Sequence, residues 1–165
     1  MVGGNVARAT SELLLAFMAA NSNFYEGRLP VPEITIQTSG RRAAYGWLTL
    51  GKIWKNENGG AVELNICAEY LARPLHDLLG TLLHEMAHLE NLTKGIQDVT
   101  GFQYHNKHFK TAAERIGLIV FKVPRYGLAR TEPGEELKTW INSLNLNEAV
   151  FRTFRGSSLP IETGT

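Results

Sequence analysis

The residues of this chain that point most directly to chemistry are His84, Glu85 and His88, which form an H-E-x-x-H motif. On an α-helix, residues four positions apart lie one turn above each other, so both imidazoles would face the same point. Two histidines in this arrangement can bind one zinc ion, and the glutamate beside them can reach the water on that ion. The motif therefore predicts the centre of a metal-dependent hydrolase.

The sequence around the motif has the pattern of a buried helix. This helix is predicted to begin near Leu75, directly after a proline suited to a first turn, and to end near Thr93. The two histidines would project from the side opposite the apolar stripe. On the remaining flank, the small residues Gly80 and Ala87 would let another segment of backbone approach closely. The apolar stripe consists of Leu75, Leu79, Leu82 and Met86.

A catalytic zinc ion usually has three protein ligands and one open position, so a third ligand is expected downstream of the motif. The extended pattern with a glycine and a third histidine on the same segment fails, because Asn91 and Lys94 occupy those positions. We favour His105, since it lies one helical turn before Phe109 and would follow the buried stripe of a third helix toward the zinc helix. His108, Asp98 and Glu114 stay open as candidates for the same role.

Composition narrows the class of protein. The 165 residues, 44% of them hydrophobic and 20% charged, suit one domain with its own core. A single cysteine, Cys67, excludes a disulfide framework and a cysteine-rich zinc site, and it is expected to be a buried structural thiol. A net charge of +1 gives no overall attraction to nucleic acid. We expect a cytoplasmic protein without a membrane span, because neither a secretory signal pattern nor a long apolar run is evident.

The hydropathy pattern predicts an α+β fold in which helices at the two ends flank a small, mainly antiparallel sheet. An Asn58-Gly59-Gly60 turn favours a hairpin in the middle of that sheet. The predicted helices span about 5–22, 74–93, 106–116, 133–144 and 148–154, and the predicted strands span 33–38, 45–53, 61–67 and 118–123.

Two segments around the histidines, 82–88 and 105–109, resemble the SprT-like family of zinc metalloproteases, which includes the Spartan DNA–protein crosslink proteases. In that family a third zinc-binding histidine opens a short His-Gly-x-x-Phe motif, and Phe109 matches its aromatic residue. The resemblance covers about residues 9–117 and implies a zincin-like metalloprotease domain that uses Zn²⁺. The residues it implies are the ligands His84, His88 and His105, with Glu85 as the catalytic acid/base.

The chain departs from the family pattern in two places. Asn106 replaces the usual glycine, which we expect to be a mild change because asparagine also tolerates a left-handed turn. The cysteine-rich zinc ribbon that often follows the protease core is absent from this sequence. We therefore interpret residues 1–155 as the protease domain and 156–165 as a flexible tail, with the hypothesis that the chain is truncated before such a ribbon.

The resemblance implies hydrolysis of peptide bonds, in DNA-bound or DNA-crosslinked proteins. We expect an extended substrate to add to a sheet edge formed by 61–67. Basic and aromatic residues are interleaved upstream of that strand, which favours a contact with single-stranded DNA; the alternative is a solvated strand face with core tryptophans. These residues are Arg41, Arg42, Tyr45, Trp47, Lys52, Trp54 and Lys55.

The sequence is also compatible with different functions. A zinc hydrolase with another substrate is one of them, and a zinc-stabilised DNA- or protein-binding module without turnover is the second. Intact motif residues count against the module, because a purely structural zinc site is usually closed by four ligands. The group that would stabilise an oxyanion is undecided among Tyr104, Tyr45 and His108.

Overall fold

The computed structural model describes residues 4–39 and 44–156, and in these ranges it shows four α-helices and two small mixed β-sheets. The helices are α1 (Asn5–Tyr25), α2 (Leu75–Thr93), α3 (Lys107–Arg115) and α4 (Glu135–Ser143), with short 3₁₀-helices at Ala68–Tyr70 and Glu148–Arg152. The strands are β1 (Glu33–Gln37), β2 (Gly46–Leu48), β3 (Glu63–Cys67), β4 (Val99–Thr100), β5 (Tyr104–His105), β6 (Leu118–Val123) and β7 (Gly127–Pro133).

The first sheet has the order β1-β3-β2, with β3 in the centre. Strand β3 runs parallel to β1 and antiparallel to β2, so the prediction of a mainly antiparallel sheet was wrong. The prediction that 61–67 forms an edge was also wrong, because both hydrogen-bonding sides of β3 are occupied and all five of its residues are buried. The two edge strands of this sheet are β1 and β2.

The hairpin between β2 and β3 is present, but its first strand is shorter than the predicted 45–53. Strand β2 ends at Leu48, and a single bridge between Trp54 and Ala61 continues the pairing. Gly60 has φ +96°, and a Cβ there would lie 2.3 Å from the Trp54 carbonyl oxygen. Only glycine fits this turn.

The second sheet, with the order β4-β5-β7-β6, was not expected from the sequence. Strand β6 occupies the predicted range, whereas β7 was missed because residues 127–133 contain few β-branched or aromatic side chains. Since Pro133 still belongs to β7, helix α4 begins two residues later than the predicted start.

Helix α2 packs between the two sheets and forms the centre of the core. Its predicted bounds are confirmed, and its side chains Leu79, Leu82 and Met86 are at most 1% exposed. The close approach expected at Gly80 is also confirmed, because a Cβ there would lie 3.1 Å from the ring of Pro133 in β7. Cys67 is fully buried, as predicted.

Two of the predicted segments cannot be compared with the structure, and one prediction concerns membrane spans. The basic pair Arg41-Arg42 and the predicted tail beyond Gly156 lie outside the described residues. Among the residues that are described, no helix has both the length and the hydropathy needed to cross a bilayer.

Candidate metal centre

Three imidazole rings meet at the surface of α2. His84 and His88 lie one turn apart on this helix, and His105 approaches them from β5. The Nε2 atom of His88 lies 3.2 Å from the Nε2 atoms of both His84 and His105. In a tetrahedral zinc site with bonds of about 2.0–2.1 Å, ligand nitrogens are separated by roughly 3.3 Å. The two separations from His88, with all three ligand nitrogens within 4.8 Å of one another, therefore fit one zinc ion.

The opposite ring nitrogens of His88 and His105 show which tautomers are present. The Nδ1 atom of His88 donates to the Asp98 carboxylate at 2.8 Å, and that of His105 donates to the Gln103 carbonyl oxygen at 3.0 Å. Because a carbonyl oxygen and an ionised carboxylate only accept hydrogen bonds, both Nδ1 atoms carry the proton. The unprotonated Nε2 atoms of the two rings therefore face the space between them, as binding of one metal ion requires.

His84 completes the set with a hydroxyl group as the partner of its Nδ1 atom. Its Nδ1 atom lies 2.9 Å from the hydroxyl oxygen of Thr131 in β7, which can accept a hydrogen bond from the ring. Burial lowers the pKa of His84 well below its ordinary value, and the nearby His88 and His105 lower it further. A neutral imidazole with a free Nε2 lone pair is the form that binds a metal ion.

The structure places His105 in this cluster for a different reason from the one we gave. His105 belongs to β5 and precedes α3, so it does not lie on the buried stripe of that helix. Its backbone N–H instead donates to the Tyr126 carbonyl oxygen at 2.9 Å, which ties β5 to the segment that enters β7. Gly127 allows this contact, since a Cβ there would lie 2.5 Å from the His105 carbonyl oxygen.

Asn106 does not form the left-handed turn that we expected from its position in the family motif. Its backbone is extended, with φ −98° and ψ −175°, and it is the N-cap residue of α3. Its side-chain oxygen accepts hydrogen bonds from the backbone N–H groups of His108 and Phe109 at 2.9 and 3.4 Å. Asparagine therefore serves here as a helix cap, a role in which it is among the preferred residues.

Phe109 forms an apolar floor under the three imidazoles. Its ring is fully buried, and its centroid lies 4.6 Å from that of His84, 4.3 Å from that of His88 and 4.9 Å from that of His105. Such contacts restrict the rotation of the rings and keep water from the side of the cluster that faces the core.

Glu85 lies next to the cluster on α2 and is 6% exposed. Burial raises the pKa of its carboxyl group to about 7, and the nearby Asp98 carboxylate also raises it, while His88 has the opposite effect. A carboxyl group with this pKa can accept and release a proton near neutral pH.

Asp98 belongs to the site but is not one of the three clustered ligands. Its carboxylate accepts hydrogen bonds from His88 and, at 3.0 Å, from the side-chain amide of Asn91. Burial alone would raise the pKa of Asp98, yet these hydrogen bonds and the adjacent His88 outweigh burial and lower it. Asn91 occupies the position where the extended zinc motif has glycine, so the departure from that motif supplies a partner for Asp98. The sequence contains no local signal for this contact.

His108 and Glu114 do not join the cluster. His108 is exposed, and Glu114 is an exposed residue that pairs with Lys110 at 3.7 Å. Among the oxyanion candidates, Tyr104 packs against Gly127, and Tyr45 packs edge-on against Tyr70 with ring centroids 4.9 Å apart. These contacts give both tyrosines structural partners and assign neither of them to an oxyanion.

The two tryptophans that we considered for DNA contact share a structural partner. The indole N–H groups of Trp47 and Trp54 donate to the buried carboxylate of Glu63 at 3.0 and 3.1 Å. Trp54 is nevertheless 45% exposed, and Lys52 and Lys55 nearby are also exposed. The tryptophans therefore hold the hairpin against β3 while Trp54 keeps an accessible face.

Comparison with known proteins adds one finding to this geometry. The model of the SprT-like family matches residues 14–131, which is more than two thirds of the chain and includes all three clustered histidines. Domains of this family are zinc-metalloprotease-like. No curated protein and no solved structure gave a match. The chain belongs to the SprT-like family.

Proposed function

We propose that this protein is a zinc-dependent peptidase with a zincin-like site, in which His84, His88 and His105 hold the metal ion and Glu85 is the catalytic acid/base. The observation that carries the proposal is the convergence of three Nε2 atoms whose rings are each held from behind by an oxygen atom. Histidines that only happen to lie together on a surface are not expected to have each ring oriented by a hydrogen-bond partner on its far side.

The chemistry that zinc supplies when bound by three imidazoles is that of a Lewis acid, which activates water near neutral pH and polarises a carbonyl group. Glu85, which directly follows His84 on α2, would accept a proton from the attacking water as the general base. The same carboxyl group can then deliver the proton to the departing amine. Phe109 and the rest of the apolar core restrict water to the open side of the site.

The free edge of β2 supports an extended peptide as the substrate. Within the described residues, β2 lies at the end of its sheet and pairs only with β3. A Cβ on Gly46 would lie 3.1 Å from the side chain of Thr81, which shows that β2 runs against α2 at this point. Thr81 lies one turn before Glu85 on that helix. A peptide paired with β2 through backbone hydrogen bonds would therefore lie close to the cluster and need little specific sequence.

DNA-bound or DNA-crosslinked proteins are the substrates that we propose within this class. Support comes from the exposed Lys52, Lys55 and Trp54, which together offer positive charge and an aromatic face to single-stranded DNA. Binding of a labelled oligonucleotide that weakens steeply with salt is expected, and absence of binding at low salt would contradict this part of the proposal.

Two measurements on the same samples test the proposed activity. The wild-type protein is expected to contain one equivalent of zinc and to cleave an unfolded protein substrate, with loss of both properties in His105→Ala. Glu85→Gln is expected to retain zinc but to lose several orders of magnitude in turnover. Full turnover in Glu85→Gln would remove this residue from the mechanism, and zinc binding without any turnover in the wild type would favour a binding module.

A further inference from the structure

Arg73 occupies an unusual position beside the proposed substrate edge. It directly precedes Pro74 at the start of α2, and its side chain extends alongside the first two turns of that helix. Its Nη1 atom donates to the Thr81 hydroxyl at 2.7 Å, and its guanidinium carbon lies 3.8 Å from the centroid of the Tyr45 ring. The guanidinium is therefore held by one neutral hydrogen bond and by a cation–π contact.

The charge of Arg73 has no close counter-charge. No carboxylate within the described residues lies in ion-pair distance of its guanidinium. Asp77 acts on it only from farther away, and burial lowers the pKa of Arg73 despite that effect. The undescribed segment 40–43 before Tyr45 has the sequence Gly-Arg-Arg-Ala and contains no acidic residue. A partly buried cation with unused N–H donors is suited to an anionic ligand.

The anchoring residues place this cation at one end of the proposed peptide-binding edge. Tyr45 immediately precedes β2, and a Cβ on Gly46 in that strand would lie 3.1 Å from the Thr81 side chain. Thr81 and Glu85 are one helical turn apart, which corresponds to about 5–6 Å between their Cβ atoms. A substrate paired with β2 would therefore carry a side chain within reach of Arg73 one or two residues from the bond that is cleaved.

We propose that Arg73, oriented by Tyr45 and Thr81, forms a subsite for a carboxylate of the peptide substrate. That carboxylate is either an acidic side chain near the scissile bond or a free C-terminus, because the planar guanidinium can bind either one through two parallel hydrogen bonds. The inference rests on the proposed function, since it names a preference of that peptidase. It makes Arg73 a specificity residue and leaves Glu85 as the acid/base.

Matched peptides test the subsite. The first set starts from a peptide that the protein cleaves and places either glutamate or glutamine at each of the three positions on either side of the scissile bond. The second set is one pair of peptides that differ only in having a free or an amidated C-terminus. We expect about a tenfold higher kcat/KM for one glutamate peptide, or for the free-acid peptide, over its neutral partner. The position of the effect identifies which carboxylate is bound.

Three variants connect the preference to Arg73. Arg73→Gln is expected to abolish the preference while cleavage of the neutral peptide persists, and Arg73→Glu is expected to favour a lysine peptide. Arg8→Gln changes an exposed arginine on α1 and should leave the preference intact. Thermal unfolding of each variant identifies any folding defect. Arg73→Lys keeps the positive charge and is expected to retain part of the preference for the carboxylate even if Arg73→Gln folds poorly.

The outcomes separate this inference from the proposed function. Cleavage of all peptides with equal kcat/KM would overturn the subsite and leave the peptidase proposal standing. A preference for glutamate that survives in both Arg73→Gln and Arg73→Glu would also overturn it. Absence of any cleavage by the zinc-loaded protein would overturn the peptidase and the subsite together. Inhibition by an oligonucleotide that depends on Arg73, without a glutamate preference, would assign the cation to phosphate and overturn the inference.

Discussion

Glu85→Gln should stabilise the metal-free protein by an amount that grows with pH. Burial raises the pKa of Glu85 from 4.5 to about 7. The folded state therefore holds a proton that the unfolded chain has already released between these two values. Well below pH 4.5 the carboxyl group is protonated in both states, so it makes no pH-dependent contribution to stability. As the pH rises toward 7, the wild type loses stability that glutamine, which stays neutral, does not lose.

The size of this effect follows from the same shift. One pKa unit corresponds to about 1.4 kcal/mol, so the full shift corresponds to about 3 kcal/mol at high pH. Only about 1 kcal/mol of this loss is present near pH 5. The difference in unfolding free energy between the variant and the wild type should therefore increase by about 2 kcal/mol from pH 5 to pH 8.

Urea unfolding of chelator-treated protein at several pH values measures this difference. Glu57→Gln is the matched control, because it makes the same chemical change at an exposed position far from the buried core. A Glu85→Gln difference that is constant from pH 5 to pH 8 would refute the reasoning, since it would mean that the buried carboxyl group titrates as it does in the unfolded chain.

Three further substitutions test the supports of the metal centre. Asp98→Asn should weaken zinc binding about 10- to 100-fold in a chelator competition, with Asp77→Asn as the control. If Asp98→Asn bound zinc as tightly as the wild type, the contact between Asp98 and His88 would not contribute to zinc affinity. Phe109→Ala should lower the unfolding free energy of the metal-free protein by about 3–5 kcal/mol, and a loss below about 1 kcal/mol in urea unfolding would contradict its place in the core. Asn106→Ala should cost about 1 kcal/mol and Asn106→Gly only a few tenths, as expected for a helix cap; a stabilising glycine would instead indicate a left-handed turn.

Local patterns in the sequence were sufficient to predict the helices that carry the site. The bounds of α2 were predicted closely, because a proline precedes the helix, a glycine follows it and its apolar residues repeat at helical spacing. The first helix extends three residues beyond its predicted end, where Tyr25 is still buried against the core. Packing at Tyr25 prolongs a helix whose local signal had already weakened.

Pairing between strands was much harder to predict. The alternation of β3 shows that it is a strand, but it contains no information about which strands lie on its two sides. The parallel pairing with β1 and the position of β2 at the edge depend on how the sheet packs against α1 and α2. For that reason the predicted edge was assigned to 61–67, which instead contains the central strand β3.

By itself, the sequence determined that His84 and His88 share one face of a helix with Glu85 beside them, because helical spacing is a local property of the backbone. It also singled out His105 as a partner, although the helical reason for that choice was wrong. Only the tertiary structure decided that β5 delivers His105, that Asp98 and Thr131 hold the rings from behind, and that Arg73 folds back to Thr81. These contacts join separate elements, and their geometry depends on the packing of both sheets around α2.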